Sequence, residues 1–96
     1  MPKREHDFLE EVIKESSREE PHFREMVQVA LDTRRLLRQL ADEREVAGLT
    51  QAEVAARMAT SQPAVARMEA GEIDPKLSTV DRYAKALGKS MEWRLV

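Results

Sequence analysis

The chain has 96 residues, 35% of them charged, with a formal net charge of −2 and no cysteine. That length allows one domain with room for an appended arm, and the missing cysteines exclude a disulfide framework and a thiolate metal site. No apolar stretch approaches the roughly 18 residues of a membrane-spanning helix and no signal peptide is visible, so a cytoplasmic protein with no membrane partner is predicted.

Four Pro, three Gly and few aromatic residues fit an all-α domain better than a sheet protein. Lys3 to Ser16 reads as a first helix, with Phe8, Leu9, Val12 and Ile13 on one apolar stripe. A narrow stripe on a short helix does not stabilise itself in water. It predicts packing on the rest of the chain, on a second copy or on a partner. Ser17 and Glu20 frame a capping box for the next helix, and Pro21 is tolerated in its first turn. From Pro21 to Ala47 the residues Phe23, Met26, Val27, Ala30, Leu31, Leu37, Leu40, Ala41 and Val46 recur at helical spacings. One helix of that length runs roughly 40 Å. Its first half then projects as a stalk, or the helix breaks near Asp32–Thr33. Gly48 ends it.

Leu49 to Gly71 reads as two short helices joined by a tight turn. Thr50 stands three residues before Glu53, a capping box, and Val54, Ala55 and Met58 supply an inner face. Ala59-Thr60-Ser61 interrupts the pattern, and Ser61 caps a second helix with Pro63 in its first turn. Val65 and Met68 face inward, while Gln62, Pro63, Ala66 and Arg67 fall on or beside the outer face. Two helices of this size, the second presented outward, make the helix-turn-helix that reads DNA. After the loop Glu72–Lys76, Ser78 and Asp81 frame a box for a last helix, with Val80, Tyr83, Ala84 and Leu87 inward and Gly88 at its end. The tail 89–96 alternates partly at Met91, Trp93, Leu95 and Val96 and reads as a strand, with a helical turn as the alternative.

Charge is unevenly spread. Residues 1–20 carry seven acidic and four basic side chains, whereas residues 48–96 carry six acidic and seven basic. Either the acidic arm serves a basic partner and the near-neutral module serves DNA, or the arm is simply a solvated helix. For a DNA reader, Gln62 is the first candidate for base contact, because its amide pairs bidentately with adenine N6 and N7. Arg67 suits guanine or a phosphate, or a surface ion pair. Ser61 serves as cap and phosphate donor. Pro63 touches a thymine methyl or stiffens the helix start. Thr50 and Gln51 sit at a helix N-terminus, where exposed N–H groups seat a phosphate.

The stretch resembles the Cro and phage-repressor (Xre-type) helix-turn-helix family through Gln51, Ala55, Val65, Glu69 and Gly71, and the likeness extends from Leu36 to about Trp93. The resemblance implies an all-α, lambda-repressor-like helix-turn-helix domain over 36–96. A helical extension over 1–35 would precede the domain, and a short C-terminal segment would close it. It further implies that Gln51 contacts the DNA backbone and that Arg44 and Glu69 form a buried ion pair with a structural role. Two departures stand out: Ala59 replaces the usual turn glycine, and Ala70 replaces a phosphate-contacting residue. Lys76 is a candidate to compensate. Trp93 implies a two-fold contact or, equally, closure of the monomer core.

As a whole, the acidic arm followed by an Xre-type module resembles the HigA-like antitoxins of type II toxin–antitoxin operons. That resemblance implies a homodimer on palindromic operator DNA that represses its own operon. The arm, through Phe8, Leu9, Val12 and Ile13, would hold a basic mRNA-cleaving toxin of the HigB/RelE class. A stand-alone phage-type transcriptional regulator is the alternative, and an adaptor that no longer binds DNA is a third reading. No enzyme constellation is present. His6 and His22 are sixteen apart with no spaced ligand set, and no Gly-rich phosphate loop occurs. No cofactor and no metal are expected.

Overall fold

The computed structural model describes residues 22–96. The expected helix over Lys3–Ser16, its stripe Phe8, Leu9, Val12 and Ile13, and the Ser17–Glu20 box lie outside the described residues. Four helices are described: α1 Phe23–Val46, α2 Gln51–Arg57, α3 Gln62–Glu69 and α4 Leu77–Ala86. The chain divides into two compact units, 1–33 and 34–96.

In the first unit, the described residues form the opening turns of α1. Gln28 Nε2 donates to Asp32 Oδ1 at 3.0 Å, and Thr33 Oγ1 donates back to the Val29 carbonyl at 2.9 Å. The helix passes through Asp32–Thr33 without a break. Met26, Val29 and Ala30 are exposed and Leu31 is buried, so the apolar periodicity of this segment does not translate into a uniformly buried face.

The second unit holds the core. Leu37 and Leu40 from α1, Val54, Ala55 and Met58 from α2 and its end, Val65 and Met68 from α3, and Val80, Tyr83 and Ala84 from α4 form one buried cluster. α2 packs on α3 and α4 through this cluster, and Tyr83 is the largest of its fully buried side chains. Val46, counted on the α1 stripe, is exposed at the last turn of its helix. Two guanidinium groups tie the elements at carbonyls left open near helix ends: Arg57 donates to the Ala86 carbonyl at 2.8 Å, and Arg82 to the Met58 carbonyl at 3.4 Å.

Capping sets the boundaries of α2 and α3. The Thr50 hydroxyl accepts from the Glu53 N–H at 3.0 Å and the Glu53 carboxylate accepts from the Thr50 N–H at 3.3 Å, a complete capping box. Ser61 accepts from the Ala64 N–H at 3.3 Å, with Pro63 in the first turn. Each helix also ends in the same paired backbone motif. After α2 the Ala59 N–H reaches the Ala56 carbonyl and the Thr60 N–H reaches the Ala55 carbonyl, at 3.2 and 2.9 Å. That motif demands a left-handed residue, and Ala59 adopts φ 56°, the one non-glycine among the described residues to do so. After α3 the same place is taken by Gly71 at φ 73°.

Two expectations are corrected. Ser78 does not cap α4: Lys76 is the N-cap, with no side-chain cap bond. The Thr79 and Val80 N–H groups both reach the Lys76 carbonyl, at 3.0 and 3.1 Å, which starts the helix earlier than a Ser78 cap would. Asp81 instead pairs with Lys85 at 2.8 Å, one turn on. The tail 89–96 is neither strand nor helix, because no strand exists among the described residues to pair with it. Met91 packs against the core, whereas Trp93 remains 49% exposed and does not close it.

Candidate nucleic-acid interface

The helix-turn-helix presents one outward face. Gln62, Pro63 and Arg67 are exposed on α3, Ala66 is half-buried, and Val65 and Met68 turn into the core. Ser61 and Thr50 are exposed at their caps, Gln51 is half-buried at the start of α2, and Lys76 is exposed at the start of α4. α2 and α3 thus bring Thr50, Gln51, Ser61, Gln62, Pro63, Ala66 and Arg67 onto two adjoining helices, while Lys76 sits on a separate helix start.

Beneath that face lies a fully bonded carboxylate. Arg44 grips Glu69 with two parallel bonds, Nε to Oε2 at 2.8 Å and Nη2 to Oε1 at 3.0 Å, and its third arm donates to the Leu49 carbonyl at 2.8 Å. The Tyr83 hydroxyl donates to Glu69 Oε2, and Gln51 Nε2 donates to Glu69 Oε1 at 2.9 Å. The Arg44 and Glu69 side chains are 11% and 8% exposed, so the pair implied by the family resemblance is formed and nearly covered.

The electrostatics follow from this packing. Burial alone pushes the Glu69 carboxyl up, but bonds from Arg44, Tyr83 and Gln51 outweigh it and hold the group below the usual carboxylate range. Burial, reinforced by the bond to the Glu69 carboxylate, pushes the Tyr83 phenol well above its ordinary value. The hydrogen bond to Glu69 raises Arg44 further. At neutral pH the set is therefore a guanidinium, a carboxylate and a neutral phenol.

The network reaches the surface. Gln62 Nε2 donates to Gln51 Oε1 at 2.7 Å. Gln51 and Gln62 are the first residues of α2 and α3, so the bond staples the two helix starts together. Sequence reasoning placed both on the interface but missed that they touch, and it missed Tyr83 as a partner of Glu69. The available signal was that each Gln directly follows a capping Thr or Ser, which puts both at equivalent positions on helices that must cross.

The sequence profile described as Helix-turn-helix matches residues 40–94. The chain belongs to that helix-turn-helix family. The profile covers α2, α3 and α4 together with the last turns of α1. The helix-turn-helix protein is also 42% identical over 81 residues to Antitoxin HigA1 of Mycobacterium tuberculosis, in strains CDC 1551 / Oshkosh and ATCC 25618 / H37Rv alike. That match covers 84% of this chain and 54% of each relative, so the chain spans about half the length of the curated relatives it matches. No solved structure matches it. Among the described residues of this helix-turn-helix protein, no helix is long and apolar enough to cross a membrane.

Proposed function

We propose that the chain is the antitoxin of a type II toxin–antitoxin pair, neutralising a HigB/RelE-like toxin and repressing its own operon by reading DNA. The likeness to Antitoxin HigA1 carries this reading, because it covers 84% of the chain and so reaches beyond the helix-turn-helix alone. In this reading Gln62 pairs with adenine and Arg67 with guanine or a phosphate, from a helix whose opposite face is locked into the core. Arg67 engages no acidic partner among the described residues, which suits it to DNA rather than to an intramolecular ion pair. Ala66 and Pro63 make apolar contacts beside them. Thr50, Gln51, Ser61 and Lys76 hold the phosphates.

Residues 1–35 form the extension and residues 36–96 the reader. The acidic arm, with Phe8, Leu9, Val12 and Ile13, takes the basic toxin. Two copies bind a palindromic operator with half-sites about 34 Å apart.

The test is co-expression with the product of the adjacent reading frame. A stable complex that survives purification, is lost on deleting residues 1–20, and leaves operator binding intact supports the reading. A chain that binds operator DNA but no neighbouring product is a stand-alone regulator. A chain that binds neither DNA nor a neighbour overturns the reading altogether.

A further inference from the structure

Glu69 lies below the surface, yet its bonding determines which atoms the surface presents. An ionised carboxylate has about four lone-pair sites and no proton to give. In this protein two bonds from Arg44, one from Tyr83 and one from Gln51 occupy them. Every group touching Glu69 must therefore be a donor. For Gln51 that removes a choice an amide ordinarily has, since its NH2 end must face Glu69 and its oxygen must point away.

The constraint passes on. The outward Gln51 oxygen accepts, so Gln62 must turn its NH2 end toward it, as the 2.7 Å bond shows. One N–H of Gln62 is spent on that bond. The side chain is left with its oxygen and one N–H for a ligand. One acceptor beside one donor matches the major-groove edge of adenine, which offers the N6 amino group and N7. Guanine offers two acceptors, O6 and N7, and would require Gln62 to present two donors. The reversed Gln62 needed for guanine would set its oxygen against the oxygen of Gln51.

From this geometry we infer that Glu69 is a positioning residue for base choice: through Gln51 it fixes the amide orientation of Gln62 and so selects adenine over guanine at the contacted base pair. The inference rests on the DNA-reading function proposed above. Arg44 and Tyr83 belong to the same device, because they hold Glu69 in place and fill its remaining acceptor sites. Pro63, following Gln62 in the first turn, restricts the backbone on which the amide is mounted.

Two variants of the full-length chain separate this role from simple support. Glu69→Gln replaces an acceptor-only group with one that also donates, and so frees the Gln51 orientation. Gln51→Leu removes the intermediate link without burying an unpaired charge. The probe is a pool of duplexes with randomised half-sites, from which bound species are selected and sequenced, with melting followed in parallel. The parent should enrich adenine at one position of each half-site, and Gln62→Ala should lose that enrichment at that position alone. In both Glu69→Gln and Gln51→Leu the adenine-to-guanine ratio there should fall about ten-fold. Preferences at the other positions should stay as in the parent. A purely structural role would weaken binding to every sequence alike and leave the ratio unchanged.

A readout without DNA accompanies it. The Gln62 side-chain amide resonances should shift in Glu69→Gln although residue 69 does not touch residue 62. A parent-like ratio in folded Glu69→Gln, whatever Gln51→Leu does, with the ratio lost in Gln62→Ala, overturns the inference and leaves the DNA-reading function standing. A parent that enriches no sequence overturns both.

Discussion

Gln62 donates to Gln51 across 2.7 Å, joining the first residue of α3 to the first residue of α2. The bond matters because Gln51 is itself tied to Glu69, and Glu69 to Arg44. The exposed Gln62 side chain is thus connected to the covered ion pair by two hydrogen-bonded steps, through Gln51 to Glu69, rather than left to sample solvent. In the proposed DNA-reading role, ordering Gln62 beforehand would reduce the side-chain entropy lost on binding, about 0.5–1.5 kcal/mol for an immobilised flexible side chain.

Removing one member of the covered pair should be costly. Glu69→Ala leaves the Arg44 guanidinium without its carboxylate in a site where it is 11% exposed. A loss of about 3 kcal/mol is expected, near the low end for a broken buried pair because the site retains some solvent. Urea denaturation followed by circular dichroism measures it. Unchanged stability together with abolished DNA binding would show that the pair serves recognition and not the fold.

The same group sets the acid limb of stability. Glu69 titrates below its ordinary value of 4.5, so on acidification the unfolded chain takes up this proton before the folded one does. Its contribution is present above about pH 4.5 and fades as pH falls through the lower folded value. Tyr83 acts at the other end. Its folded value lies above 10.0, so its contribution is complete below pH 10.0 and fades as pH rises beyond it. Urea midpoints measured against pH should show both limbs in the parent. Glu69→Gln should flatten the acid limb, and Tyr83→Phe the alkaline one.

The turn between α2 and α3 holds recoverable strain. Ala59 sits at φ 56° where the other helix ends use glycine. Ala59→Gly should raise stability by about 1 kcal/mol, the left-handed penalty less the added chain entropy. For a domain of this size that is several degrees in Tm. Ala59→Val should lower it. At Gly71 the reverse holds, since φ is 73° and an added Cβ would stand 2.8 Å from Arg34 Nε. Gly71→Ala should therefore destabilise, with the flexible Arg34 side chain giving way.

Local rules made most of this architecture legible in the sequence. The Thr50–Glu53 box and the Ser61 cap are set by neighbours three residues away, and both form as the residue spacing requires. Ala59 stood out through the family resemblance, as the residue in place of the usual turn glycine, and its φ of 56° is the left-handed value that a glycine would take there. Arg44 and Glu69 were paired through the family resemblance. The failures have two origins: competing backbone bonds nearby, and partners distant along the chain. Ser78 had the right neighbours for a cap but lost to backbone bonds at Lys76. The tail had strand-like alternation without a strand to join. The Gln51–Gln62 bond spans eleven residues, and the crossing of two helices, not any local spacing, creates it.

The proposed DNA face should divide into two kinds of residue. Gln62→Ala should cost about 1–3 kcal/mol on the preferred duplex and relax choice at one base pair. Lys76→Ala should weaken all duplexes alike and lower the salt slope by about one. Competition binding with matched and scrambled duplexes distinguishes the two patterns. Equal, sequence-independent losses from both substitutions would place Gln62 on the backbone instead.

The central claim, that this helix-turn-helix protein reads duplex DNA through Gln62 and Arg67, is tested most directly by one titration. The full-length chain is added to a fluorescent duplex carrying the sequence just upstream of its own reading frame, over a series of salt concentrations. The account predicts tight binding whose logarithm falls steeply and linearly with the logarithm of salt. It also predicts that Gln62→Ala combined with Arg67→Ala removes the preference over a scrambled duplex while the chain remains folded. Parent protein that binds neither duplex, or binds both equally at every salt concentration, would contradict it.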